Sequence, residues 1–154
     1  MIFNKVYIIK ELNLIQVIYV KIAIRYYTKT GNTKKLAEAI SEVVNVEAKT
    51  VAEPLTEDVD ILFLGSAVYA AGIDKKIKEF IKNINVNVGQ VVNFSSAALI
   101  ESTYKQVKKE VEAKGLKMSE DEFHCRGAFK LVHRGRPNDN DLKDAQEFAK
   151  RIIS

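Results

Sequence analysis

Thr28-Lys29-Thr30-Gly31-Asn32-Thr33 stands between an apolar run, Lys21 to Tyr27 (KIAIRYY), and an amphipathic run, Lys34 to Val44 (KKLAEAISEVV). The order reads strand, hydroxyl-rich turn, helix. Thr28, Thr30 and Thr33 supply hydroxyls, Asn32 an amide, and Gly31 lets the backbone turn tightly or approach a ligand closely. A helix start carries unpaired N–H groups and the positive end of the helix dipole, so it accepts a phosphate. A single cap residue satisfies an ordinary helix start. Three hydroxyls and an amide in six positions exceed that need.

Outward from this loop, strand and helix signals alternate. Leu36, Ile40, Val43 and Val44 recur at helical spacing, and Val44 to Val51 alternates like a short half-exposed strand. Asp60 to Ser66 (DILFLGS) is the most apolar strand signal, followed by an expected loop over Ala67 to Gly72. Ile73, Ile77, Phe80, Ile81 and Ile84 mark a helix, and Gly89 to Phe94 a further strand, leading into the small polar stretch Ser95 to Ala98. Glu101 to Lys114 reads as a helix with Tyr104, Val107 and Val111 inward, stopped by Gly115. A fifth strand is expected near Glu122 to Ala128, then a polar loop from His133 to Asn138. Asn138 and Asp141 have the spacing of a capping box for a last helix whose inward stripe is Leu142, Ala145, Phe148, Ala149 and Ile152. The helix after the second of these strands is missing or very short. The alternation predicts an α/β domain with a parallel sheet and helices on both faces.

With 154 residues the chain is long enough for one domain with a real core. Apolar residues make up 47% and charged residues 29%, ordinary for a globular chain. One cysteine, Cys125, excludes an internal disulfide framework, and two histidines, His124 and His133, argue against a histidine-rich metal site. Cys125 falls in the expected last strand and reads as a buried apolar residue. The net charge of +4 comes from scattered residues with no basic run of five, which argues against a nucleic-acid groove. Arg25 interrupts its apolar strand and is expected in a salt bridge or at an exposed strand end, while Lys75, Lys76 and Lys78 form a solvated helix face.

Residues 1–20 (MIFNKVYIIKELNLIQVIYV) are apolar but interrupted, below the roughly 18 unbroken residues of a membrane span. They also lack a small-residue cleavage site. An extra edge strand, a disordered tail or a start upstream of the native one are the open readings, and a dispensable tail is favoured, with the domain proper over residues 21–154. No membrane association and a cytoplasmic location are the matching expectations.

Neither the dinucleotide fingerprint G-x-G-x-x-G nor the P-loop G-x-x-x-x-G-K-[ST] is present, since this turn has one glycine. A receiver-type acidic pocket is also missing, because the equivalent positions hold Thr28-Lys29 and Gly65-Ser66. The segment Tyr26 to Thr33, with Ala37 four residues on, instead resembles the flavodoxin signature, in which T/S-x-T-G-N-T leads into the first helix. Phe123 to Phe129 (FHCRGAF), Gly135 to Asn138 (GRPN), Asp141-Leu142 and Phe148-Ala149 resemble a subgroup of small bacterial flavodoxin-family proteins. The resemblance covers about residues 21–153. It implies a three-layer, doubly wound, five-stranded parallel sheet in the order 2-1-3-4-5, with FMN at the switch point between strands 1 and 3.

By that resemblance, Thr28, Thr30, Asn32 and Thr33, with the backbone of Lys29 and Gly31, hold the FMN phosphate. Ser66, Ala67, Val68, Tyr69 and Gly72 form one wall of the ring site, with Tyr69 the aromatic to lie against the ring. Ser95 and Ser96 belong to the other wall. The segment from Ser95 to Ser102 offers no aromatic where many flavodoxins place one, so cover on one ring face only and weaker binding are expected.

The expected function is an FMN-binding electron-transfer flavoprotein serving redox partner proteins or a reductase. No side chain need act as acid, base or nucleophile. The alternatives are an FMN-dependent NAD(P)H:quinone-type oxidoreductase and a flavodoxin-like module with weak or lost FMN binding. Flavodoxins are typically acidic, whereas this chain is basic, which argues against the usual partner set.

Overall fold

Ile22 and Ile24 point to one face of the sheet and Ala23 to the other, and all three are buried. A strand covered on both faces in this way belongs at the centre of an α/β sandwich. In the computed structural model, which describes residues 4–11, 14–69 and 72–154 with side chains at 19–68 and 72–154, that strand is β2 (Leu14–Tyr26). The other strands are β1 (Asn4–Glu11), β3 (Ala48–Thr50), β4 (Val59–Tyr69), β5 (Gly72–Ile73), β6 (Val88–Ala97) and β7 (Met118–Arg126). The helices are α1 (Asn32–Val44), α2 (Lys75–Asn83), α3 (Tyr104–Ala113) and α4 (Asp139–Ile152).

Parallel pairings join β3 to β2, β2 to β4, β4 to β6 and β6 to β7. Counting only these five strands along the chain, the order across the sheet is 2-1-3-4-5. Helices α1 and α4 cover the face carrying Ile22, Ile24, Phe63, Val92 and Phe94. On the opposite face α2 and α3 lie over Ala23, Leu62, Leu64 and Val91. Each fully buried side chain of this size stabilises the fold by about 1.5–3 kcal/mol.

Strands run further than the apolar runs suggest. β2 begins at Leu14 rather than Lys21, β4 continues to Tyr69, β6 to Ala97, and β7 starts at Met118. Residues Leu14–Lys21 of β2 pair antiparallel with Asn4–Glu11, so residues 4–11 form an additional strand. Positions 1–3, 12 and 13 lie outside the described residues. The two-residue β5 folds back antiparallel on the end of β4.

No helix joins β3 to β4, as the sequence suggests. Arg25 holds this bare connection. Its guanidinium donates to the carbonyls of Glu53 at 2.8 Å, Pro54 at 3.1 Å and Ile24 at 3.0 Å. Arg25 is thus buried beneath the connection, rather than salt-bridged or at an exposed strand end. Burial lowers its pKa, and the charges of Glu53 and Glu47 work against that shift.

The helix ends follow local rules. Gly115 (φ +82°) ends α3 in a Schellman turn: its N–H bonds the Glu112 carbonyl, and the Leu116 N–H bonds that of Val111. The capping box at Asn138 and Asp141 is formed in both directions. Among the described residues no helix is long and apolar enough to cross a membrane.

Candidate functional site

The loop between β2 and α1 sits at the carboxyl end of the central strand, where open α/β sheets place their ligands. Gly31 adopts φ +87°, a left-handed conformation that suits glycine, and α1 starts from it with no side-chain cap. The hydroxyls therefore do not serve as caps. Thr28 Oγ1 instead accepts the Gly31 N–H at 2.9 Å, which closes the turn and leaves the hydroxyl hydrogen free to donate. Thr30 is exposed. Gly31, the residue before α1, has no side chain to cap it, and the first N–H groups carry the helix's positive end.

The side chains of Asn32 and Thr33 face inward. Asn32 Nδ2 donates to the Ala128 carbonyl at 3.0 Å, and Thr33, fully buried, lies 3.3 Å from the Ser96 hydroxyl. Lys29 forms an ion pair of 3.1 Å with Asp74, the cap residue of α2. Burial opposes ionisation of Asp74, yet the hydrogen bonds from the Lys76 N–H and Lys29, with the nearby lysine charges, hold its carboxyl below the usual range. This pair ties the loop to α2.

Ser66 and Ser95 are also interior, because β4 and β6 extend past them. The Ser66 hydroxyl donates to Thr103 Oγ1 at 2.8 Å, and Ser95 Oγ accepts the Thr103 N–H at 3.4 Å. Asn93 joins the same cluster, donating to Thr103 Oγ1 and to Glu122 Oε2. Ser66 and Ser95 thus fasten the start of α3 to the sheet, and Ser96 backs Thr33. All three lie in strands rather than in the loops where the sequence reading put them.

A cavity of about 360 Å³ opens beside the threonine loop. Thr30 and Asn32 line it on one side, Ala67 and Val68 at the end of β4, and Ser96 to Ile100 at the end of β6. Gly127, Ala128 and Phe129, which follow β7, complete it. A side chain at position 127 would press on Asn32 and Ser96, at 3.1–3.3 Å, so glycine allows the close passage of this segment. Tyr69 pairs through its backbone with Gly72, but its side chain, with Ala70 and Ala71, lies outside the described residues. Gly72 (φ +143°) does not line the cavity; a Cβ there would stand 2.9 Å from Gln106 Oε1, which accepts the Ile73 N–H at 2.7 Å.

The lining after β6 is held from behind. Arg126 Nη1 donates to the Ile100 carbonyl at 2.9 Å, and His133 Nε2 lies 3.1 Å from the Ala98 carbonyl. The sequence reading gave the segment from Ser95 to Ser102 as the second ring wall without singling out Ala97 to Ile100, and it missed Phe129, Arg126 and His133 as site-building residues. Phe129 is an aromatic at the site supplied from a different loop than the one expected to provide it. Its signal was the CRGAF motif, but only a contact spanning 96 residues, Asn32 to Ala128, brings that motif to the threonine loop.

A second, larger cavity of about 670 Å³ lies on the α2 side of the sheet, beside the bare connection between β3 and β4. Tyr27, Val51, Leu55, Phe80 and Ile84 give it an apolar wall, with Lys76 Nζ 5.0 Å from the Tyr27 ring centre. It touches the threonine loop only at Thr28.

Comparison with known proteins agrees with the fold. The family model described as a flavodoxin domain matches residues 23–131. An uncharacterised protein of Methanocaldococcus jannaschii is 29% identical over 136 residues, covering 79% of this chain and 90% of that protein. Among solved structures, a flavodoxin from the domain Archaea superposes with a TM-score of 0.64 at 14% identity, covering 86% of this chain and 99% of the other. Oxidised flavodoxin 2 of Bacillus cereus gives 0.65 at 17% identity, covering 86% and 97%. At these identities the structural likeness shows the fold.

Proposed function

This chain belongs to the flavodoxin family, and on that premise we propose that it binds FMN at the start of α1 and passes electrons between redox partners. The observation that carries the reading is the uncapped start of α1 behind Gly31, with the Thr28 and Thr30 hydroxyls beside it and the 360 Å³ cavity adjoining. A phosphate suits this set of donors: the N–H groups at the helix start, the Thr28 O–H and the Thr30 hydroxyl. The hydroxyl of Thr33 supports the loop from inside instead.

FMN, when bound, supplies one- or two-electron transfer. The chain's own residues would orient it and keep water away. Ala67 and Val68 form one flank of the ring cavity, the backbone from Ala97 to Leu99 the other, and Phe129 its outer rim. Among the described residues lining this cavity none has a titratable side chain, which favours a carrier over an enzyme that moves protons for its substrate.

Reconstitution of the purified chain with FMN, followed by desalting, tests the cofactor. Visible flavin absorbance that stays with the protein is expected, and its loss on desalting overturns the reading. Steady-state NAD(P)H consumption with a quinone tests the carrier assignment. Turnover is expected only when a partner reductase is added.

A further inference from the structure

Six large apolar side chains are exposed among the described residues, and five of them, Leu99, Ile100, Phe129, Leu131 and Val132, lie on two segments that both contribute to one cavity, through Leu99, Ile100 and Phe129. Leu99 and Leu131 are the extremes, at 78% and 76% exposure. A concentration of apolar surface like this marks an interaction site rather than scatter. The segments are also pinned. Phe129 and Val132 exchange backbone hydrogen bonds across a tight turn, and Arg126 and His133 hold the carbonyls of residues 98 and 100. The apolar surface is thus presented in one arrangement, which lowers the ordering cost of association.

We infer that this rim is the docking surface for an acidic electron-transfer protein. The inference rests on the FMN reading for its purpose, since Leu99, Ile100 and Phe129 both line the proposed ring cavity and form part of the rim. The charges of the rim select the partner. Residues 98–103 and 127–138 contain Lys130, Arg134 and Arg136 against a single carboxylate, Glu101. Arg136 is paired with Asp141, and Glu101 lies 3.6 Å from His124, so Lys130 and Arg134 are the exposed cations flanking Leu131. An apolar centre with a charged margin is the usual anatomy of a protein interface, and its sign steers the encounter. A lipid surface fits less well. Recognition of anionic lipid uses clusters of about four to eight Lys and Arg, more than this rim presents.

The test uses the full chain and three probes: an acidic [2Fe–2S] ferredoxin, a basic cytochrome c and phosphatidylserine vesicles. Calorimetric titration at low and high salt is run on the FMN-loaded and the unloaded chain, with flavin content read separately from absorbance. The ferredoxin is expected to bind the loaded chain more tightly than either other probe, with affinity falling as salt rises. Lys130→Glu with Arg134→Glu is expected to weaken it about tenfold, and Leu99→Ser with Leu131→Ser by a similar factor. These positions are exposed, so circular dichroism should be unchanged. Stronger binding to cytochrome c or to the vesicles, or indifference of ferredoxin binding to both variant pairs, overturns the proposal. A chain that fails to retain flavin defeats the FMN reading alone, because titration of the unloaded chain still decides the docking surface.

Discussion

The ring of Phe94 fills the space that a side chain at Gly65 would occupy: a Cβ at position 65 would stand 2.2 Å from Phe94 Cζ. The two residues are register partners on β4 and β6, beneath α1 and α4. Gly65→Ala is therefore expected to cost about 1–3 kcal/mol through overpacking. Urea denaturation should show a lower midpoint, and Gly65→Ala combined with Phe94→Leu should regain part of the loss. An unchanged midpoint would show that the ring moves aside freely.

The threonines of the loop should separate by role. Thr28→Ala and Thr30→Ala each remove a proposed phosphate donor, and a hydrogen bond to a charged group is worth roughly 1.5–3 kcal/mol. FMN affinity measured by flavin fluorescence quenching should fall accordingly. Thr33→Val should leave affinity within about threefold, because its hydroxyl faces Ser96, and should lower stability by about 1 kcal/mol instead. A Thr33→Val variant that loses FMN while keeping its stability would contradict this division.

The strand-and-helix alternation, the absent helix after β3, the capping box at Asn138 and the glycine stop at Gly115 were all legible in the sequence, because each depends on neighbours a few residues away. The strand ends were not. Ser66, Ser95 and Ser96 look like loop residues since they are polar, but Thr103 and Thr33 supply partners from distant segments and let β4 and β6 continue. Arg25 misled for the same reason: its partners are carbonyls nearly thirty residues away, at Glu53 and Pro54. At the site, the threonine loop was legible and the segment from Gly127 to Phe129 was recognised only as a motif, because its position depends on a long-range hydrogen bond.

Asp141 should make the fold sensitive to acid. Burial opposes its ionisation, but hydrogen bonds from Arg136 and the Asn138 N–H, together with the Arg136 charge, outweigh this and hold the carboxyl below the usual range. A depressed native pKa means that the stabilisation is fully present above the unfolded value of about 3.9 and is lost as pH falls through the native value. Asp141→Asn should lower stability by about 1–2 kcal/mol at neutral pH and flatten the acid limb of a plot of melting temperature against pH. An acid limb identical to that of the parent would remove Asp141 as its source.

Cys125 should be chemically quiet. Burial and, to a lesser degree, the Asp141 charge push its thiol up to about 12, against a smaller opposing effect of Arg136. The thiolate is the reactive form, so iodoacetamide at pH 8 should label the folded chain far more slowly than the chain in urea. Equal labelling rates would mean that β7 opens readily.

The bare connection between β3 and β4 has a consequence for how the fold breathes. β3 is paired through only three residues, Ala48–Thr50, and no helix lies between it and β4 in the chain. Local opening there exposes little apolar surface, so its free-energy cost is small. Deuterium should therefore reach the amides of β3 well before those of β4 and β6, at the centre of the sheet. The parallel sheet would loosen from that one margin inward while the strands that carry the threonine loop and the cavity remain closed.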